Sequence, residues 1–181
     1  MSKNIQFGDR PFAVKEHKSS FLHWDLRFQF SGQTLLSFAA RTSPHLNPSE
    51  PIEVDQTLDH KLAYLLQEWI IPSDRSGAGP TVVWDKGVFR VLGKENINLQ
   101  IARGHLRIFI IGGRLKGNFS LKWVGPEEKN WLWIKEWDDD ADPHRRFPNV
   151  LTPDKIQELG KKSHVPKDQA TMDLFENFKT N

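Results

Sequence analysis

Val14-Lys15-Glu16-His17-Lys18-Ser19-Ser20-Phe21-Leu22-His23-Trp24-Asp25-Leu26-Arg27-Phe28 carries most of the information in this chain. From Leu22 onward apolar and polar residues alternate. Successive side chains of an extended strand point to opposite faces, so Leu22, Trp24, Leu26 and Phe28 share one side and His23, Asp25 and Arg27 share the other. The spacing predicts a strand whose apolar face holds a polar row in place. With His17 added from the end of the preceding strand, two imidazoles and one carboxylate make a three-ligand set for a divalent metal, with positions left open for water or phosphate. Arg27, two residues beyond Asp25, is spaced to reach the oxygens of the same phosphate as a charged fork. The same spacing also suits a His23–Asp25 pair on a solvated face.

On either side of this strand, Phe12 to about Trp137 runs as short segments rich in Val, Ile, Phe and Trp, punctuated by Gly, Pro, Asn and Asp. That pattern predicts an all-β fold, a small barrel with short helices in its loops and tail. Expected strands are Phe12–Glu16, His23–Phe30, Leu35–Ala40, Thr81–Trp84, Gly87–Leu92, Asn98–Ala102, His105–Ile111, Gly117–Trp123 and Trp131–Glu136. Turns are expected at Ser31-Gly32, Asp85-Lys86-Gly87, Gly112-Gly113 and Gly125-Pro126, where backbone freedom is wanted. Leu46 to Gly79 reads as one long, turn-rich connection of the kind that tends to carry function. After Trp137 the composition turns acidic through Asp138, Asp139, Asp140 and Asp142. Thr152-Pro153-Asp154 then reads as a helix start, with helices expected over Pro153–Lys161 and Lys167–Phe178. The division is therefore residues 1–137 as a barrel and 138–181 as an acidic linker and helical tail, too short for a core of its own and docked on the barrel.

The 181 residues, 38% hydrophobic, suit a single domain, and 25 basic against 23 acidic side chains leave a formal charge of +2 that identifies no partner. The absence of cysteine removes disulfides, thiolate metal sites and a cysteine nucleophile, so any metal ligands are nitrogen or oxygen. Apolar runs such as Ile108–Ile111 are far too short to span a bilayer, and the expectation is a soluble, cytoplasmic monomer. Gly77-Ala78-Gly79-Pro80 lacks the following Lys-Ser/Thr of a phosphate-cradling loop. Arg103, His105 and Arg107 alternate as on a strand, with Arg114, Lys116 and Lys122 after the turn. Such a row fits a basic edge for a phosphate backbone and equally a solvated strand face.

Lys15-x-His17 followed by Leu22-His23-Trp24-Asp25-Leu26-Arg27 resembles the K-H-x-x-x-x-L-H-[YW]-D-[FL]-R signature of the ligase D type 3′-phosphoesterase family. Further stretches match that family in order: Ser37-Phe38-Ala39-Ala40 with Pro44, Leu46 and Pro48; Asp59-His60-x-Leu62-x-Tyr64; Ile71-Pro72 with Gly77-Ala78-Gly79 and Val83-Trp84-Asp85-Lys86-Gly87; and Gly113-Arg114-Leu115-Lys116-Gly117 with Lys129-Asn130-Trp131-Leu132-x-Ile134-Lys135. The resemblance implies a small β-barrel with a Mn²⁺ site, Zn²⁺ or another divalent ion being the alternative. It implies removal of 3′-terminal ribonucleotides or 3′-phosphates from DNA or RNA-DNA primer ends in DNA repair by non-homologous end joining, beside a repair ligase or polymerase. Carried over, His17, His23 and Asp25 are metal ligands, Arg27 and His60 contact the phosphate, and Tyr64 takes the place of an active-site tyrosine. The chain departs from the family where a lysine is replaced in register by Thr42, with Arg41 beside it as a substitute substrate contact, and where an arginine is replaced by Ile52. Two rival expectations are a module that binds metal and a 3′ end without turnover, and a β-barrel binding single strands or RNA in which the polar row is incidental.

Overall fold

The computed structural model describes residues 8–125 and 130–162. Strands β1 (Arg10–Lys18), β2 (Leu22–Ser31) and β3 (Thr34–Ala40) form an antiparallel meander. From β3 the sheet continues through β4 (Ile52–Gln56) to β10 (Asn130–Lys135), then β9 (Lys116–Trp123), β8 (His105–Gly112) and β7 (Gly79–Val91). Strand β7 pairs back onto β1, which closes an eight-stranded barrel and leaves none of those strands as an open edge. Two short strands lie off this ring: β5 (His60–Lys61) on β3, and β6 (Trp69–Ile71) on β7.

Alternation fills the barrel as expected. Phe12 and Val14 of β1, Trp24, Leu26 and Phe28 of β2, and Leu36 and Phe38 of β3 point inward to one buried cluster with Phe119, Trp131 and Trp133. Phe119 and Trp133 stack at 4.7 Å between ring centroids, so the tryptophans at 131 and 133 are packing residues. The opposite row of the same strands is also largely buried. Ala13 and Leu35 meet Leu62 and Leu65 in a second, smaller cluster, because the segment after β4 folds back over the outside of β1–β3. That cover converts the polar row from a solvated face into a largely buried one.

Three expectations are corrected. The proposed turn at Asp85–Gly87 does not exist; β7 runs unbroken through it. Gly87 is there for close approach, since a Cβ would lie 2.1 Å from the Ile111 carbonyl of β8. Asp85 accepts backbone N–H bonds from Lys86, Gly113, Arg114 and Leu115 at 2.8–3.1 Å, pinning the β8–β9 turn to β7. The expected strand at Asn98–Ala102 is helix α1 (Ile97–Ala102), capped by Asn96, whose side chain accepts from Leu99 N at 3.0 Å. Buried Ile97 and Gln100 lie three apart, a helical spacing. The connection 46–79 holds β4, β5, β6 and a 3₁₀ turn at Leu62–Tyr64. In β4 Ile52 and Val54 face inward and Glu53 and Asp55 outward, an alternation too short to stand out beside its prolines.

After β10 the chain lies against the barrel. Val150 N donates to Glu16 Oε2 at 2.7 Å, Arg114 donates to Pro148 O at 2.9 Å, and its guanidinium stacks on Trp84 and Phe147. Helix α2 (Pro153–Lys161) forms as read, capped by Thr152 Oγ1, and buries Leu159. The helix expected at Lys167–Phe178 lies outside the described residues. Among the described residues no helix is long and apolar enough to cross a membrane.

Candidate functional site

Register places the chemistry. Cross-strand partners are His17 with His23, Lys15 with Asp25, and Ala13 with Arg27; on the far side Arg27 faces Ser37, and Leu35 faces His60 of β5. The β1–β3 side chains among these are on the outer row, and His60 meets them from the covering segment. His17, His23 and Arg27 are buried.

Asp25 is the hub. Its Oδ2 lies 3.4 Å from His17 Nδ1 and 3.3 Å from Arg27 Nη2, and its Oδ1 lies 3.4 Å from His23 Nε2. The remaining ring nitrogens are committed to backbone carbonyls: His17 Nε2 donates to Gly77 O at 2.7 Å and His23 Nδ1 to Phe21 O at 3.2 Å. A carbonyl only accepts, so these nitrogens carry the protons, and in the neutral rings the lone pairs of His17 Nδ1 and His23 Nε2 both face the carboxylate. Three acceptors converge, with ligand atoms within 4.8 Å of one another. Such a cluster is stabilised by a cation or by protonation of a ring. Backbone carbonyls holding the outer nitrogens are also how ligating imidazoles are commonly oriented.

The electrostatics follow from burial and these contacts. Burial acts to raise the Asp25 pKa, but His17, His23 and Arg27 hold its carboxyl well below the usual carboxylate range. Burial opposes charge on His23, yet Asp25 outweighs it and the pKa is raised. His60 is pushed down to about 4 by burial and by Arg27 and Lys15, against the pull of Asp25. Its Nδ1 lies 3.1 Å from Ser37 Oγ, which itself donates to Leu35 O at 3.3 Å.

Gly77 and Gly79 shape one wall. Gly79 has φ +133, and a Cβ there would lie 2.0 Å from the Lys18 carbonyl. This close approach brings Gly77 O onto His17, which gives the Gly-Ala-Gly segment a positioning role rather than a phosphate-cradling one.

Not every expected site residue joins the cluster. Tyr64 sits half-buried on the 3₁₀ turn just after β5, and among the described residues its hydroxyl makes no hydrogen bond. The Arg41 guanidinium lies 4.7 Å over the ring of Phe21, which in turn is 5.2 Å from the His23 ring. Arg41 and Thr42 line a neighbouring cavity of about 420 Å³ with His45, Glu50 and Asp55. Ile52 is in the barrel core. The expected basic edge is largely neutralised: Arg103, at the end of α1, pairs with Glu95, Arg107 pairs with Glu136 at 3.1 Å, and Arg114 is stacked on the tail.

Residues 15–122 match the DNA Ligase D 3′-phosphoesterase domain. The chain belongs to that family. Relatives agree with this. A multifunctional non-homologous end joining protein LigD of Pseudomonas aeruginosa is 32% identical over 160 residues, covering 86% of this chain and 18% of that protein. One from Mycolicibacterium smegmatis is 31% identical over 126 residues, 67% of this chain and 16% of its own. The corresponding DNA repair protein of Mycobacterium tuberculosis is 30% identical over 135 residues, 71% of this chain and 17% of its own. The chain thus spans less than a fifth of the length of these relatives. The family match includes the outer row from Lys15 onward, His60 and Tyr64, and ends before β10 and the tail.

Lys15 went unassigned in the sequence. It occupies the outer row between Ala13 and His17 and is 1% exposed. Its pKa is lowered from 10.5 to about 7, first by burial and then by Arg27, against Asp25 and Glu68. The signal was available, because Lys15 keeps the same alternation as His17.

Proposed function

We propose that this 3′-phosphoesterase domain binds a divalent cation, Mn²⁺ first and Zn²⁺ as the alternative, through His17 Nδ1, His23 Nε2 and Asp25. We propose further that it hydrolyses phosphate esters at the 3′ ends of DNA or RNA-DNA primers. The observation that carries this reading is the pair of imidazoles tied to Gly77 O and Phe21 O with both lone pairs turned on one carboxylate. When bound, such an ion supplies Lewis-acid polarisation of a phosphoryl oxygen. The chain's own residues do the rest. Arg27, anchored by Asp25, presents a guanidinium to the phosphate oxygens and stabilises charge that grows in the transition state. His60, with a pKa near 4, is neutral at physiological pH, so it acts as a hydrogen-bonding group rather than as a proton donor.

The biological setting is proposed from the relatives, whose names describe non-homologous end joining. The domain would trim a 3′-terminal ribonucleotide or phosphate in the cytoplasm so that a ligase or polymerase finds a hydroxyl. One observation favours a second reading, binding without turnover: Arg41 is engaged with Phe21 and Thr42 lies outside the cluster. The test is a labelled primer carrying one 3′-terminal ribonucleotide, incubated with and without Mn²⁺. Release of labelled product only with Mn²⁺, lost in His17→Ala, is expected. Tight Mn²⁺ and primer binding without any release selects the second reading, and metal-independent binding with no Mn²⁺ uptake removes both.

A further inference from the structure

We propose that Lys15 is a second anion-binding cation of this pocket, taking the terminal phosphate of a nucleic-acid 3′ end together with Arg27. The inference rests on the phosphate site argued above and adds a residue and a charge preference to it. Lys15 sits directly across from Asp25 in the β1–β2 register, while Ala39 of β3 faces Asp25 from the other side. It is 1% exposed, yet among the described residues its ammonium makes no hydrogen bond and has no carboxylate within 4.0 Å. Buried ammonium groups are ordinarily paired, because desolvation without a partner is costly.

The two nearby acids are already engaged. Glu68 receives Val83 N on Oε1 and the Lys155 ammonium on Oε2, both at 3.0 Å. Asp25 is shared among His17, His23 and Arg27. Asp25 retains 13% side-chain exposure, more than His17, His23 or Arg27, so solvent reaches the cluster at the carboxylate that Arg27 contacts and that Lys15 faces in the register. With Lys15 protonated, two cations face one carboxylate and leave surplus positive charge before any metal is counted, and a bound anion favours that protonated form. That surplus suits a phosphomonoester, which carries more negative charge than a diester and presents several oxygens to receive two cations.

The test uses the full chain in EDTA, so that it does not depend on metal binding. Two short single-stranded DNA oligomers are compared by calorimetry, identical except that one ends in a 3′-phosphate and the other in a 3′-hydroxyl. The wild type is expected to prefer the phosphorylated oligomer by about tenfold or more, and Lys15→Met to lose most of that preference. Lys15→Gln, which keeps a polar tip without the charge, should lose it equally, whereas Lys15→Arg should keep part of it. Mn²⁺ affinity, titrated separately, should be unchanged or higher in Lys15→Met because a like charge has been removed. Equal binding of the two oligomers by the wild type, or full preference in folded Lys15→Met or Lys15→Gln, overturns the proposal. So does unfolding of both neutral variants, which would make Lys15 a structural cation. Loss of Mn²⁺-dependent cleavage with the end preference intact would instead remove the catalytic reading and leave Lys15 in place.

Discussion

Arg27 shows how burial changes what a single substitution does. Its guanidinium is buried and shares Asp25 Oδ2 with His17, so removing it takes away a phosphate contact and one support of the carboxylate. Arg27→Ala is expected to lower Mn²⁺-dependent turnover by on the order of 10²-fold. Mn²⁺ affinity should change by less than about tenfold, because both imidazoles remain tied to their carbonyls. Arg27→Lys should recover only part, since an ammonium cannot make the bidentate fork. Full activity in Arg27→Ala would remove Arg27 from the phosphate pocket. Lys15 gives a pH signature of its own. Its folded pKa of about 7 lies below the unfolded 10.5. Between those values the unfolded chain holds a proton that the folded chain has released, so stability rises with pH across that window. The cost of burying the ammonium is fully present below pH 7 and fades toward 10.5. Metal-free Lys15→Met should therefore gain more stability over wild type near pH 6 than near pH 10, as read from urea midpoints. An equal gain at both would mean that Lys15 is not desolvated.

At the scale of elements, two segments hold the site without touching substrate. The Gly77–Gly79 wall depends on a backbone approach that no side chain fits. Gly79→Ala is expected to destabilise by about 1–3 kcal/mol through its positive φ and the Lys18 contact. It should also weaken Mn²⁺ binding by displacing Gly77 O from His17. Wild-type stability and metal affinity together would show that the wall has room to move. Asp85 anchors the β8–β9 turn with three backbone bonds and accepts a fourth from Lys86, although burial raises its pKa. The Trp84-Asp85-Lys86-Gly87 motif is thereby explained by architecture rather than by chemistry. Asp85→Ala should cost about 2–4 kcal/mol in stability, because four N–H groups lose a shared acceptor. Turnover measured well below the melting temperature should stay near wild type.

Across the whole molecule, barrel closure and the tail decide what is pocket and what is surface. The described part of the tail is held by Val150 on Glu16, Arg114 on Pro148, Lys155 on Glu68 and the buried Leu159. Truncation after Trp137 should lower the melting temperature by on the order of 5–10 °C. A truncated chain that melts like the full one would make the tail an independent appendage. The all-β class, the strand His23–Phe30 and the start of α2 were legible in the sequence, because alternation and capping are local properties of the chain. So was the sharing of one face by His23, Asp25 and Arg27, since a strand has no other way to order its side chains. The single strand through Asp85–Gly87 and the helix at Ile97–Ala102 were not legible, because the reasons for both lie in contacts outside the segments themselves: Ile111 O beside Gly87, and Leu92 O and Arg107 N on Gln100. Only the tertiary structure decided that the polar row would be roofed by Leu62 and Leu65, and that Arg41 would lie on Phe21 instead. It also decided that Lys15 would be buried across from Asp25. Local spacing sets which side of a strand a residue takes, but burial and charge balance depend on which distant segment comes to cover it.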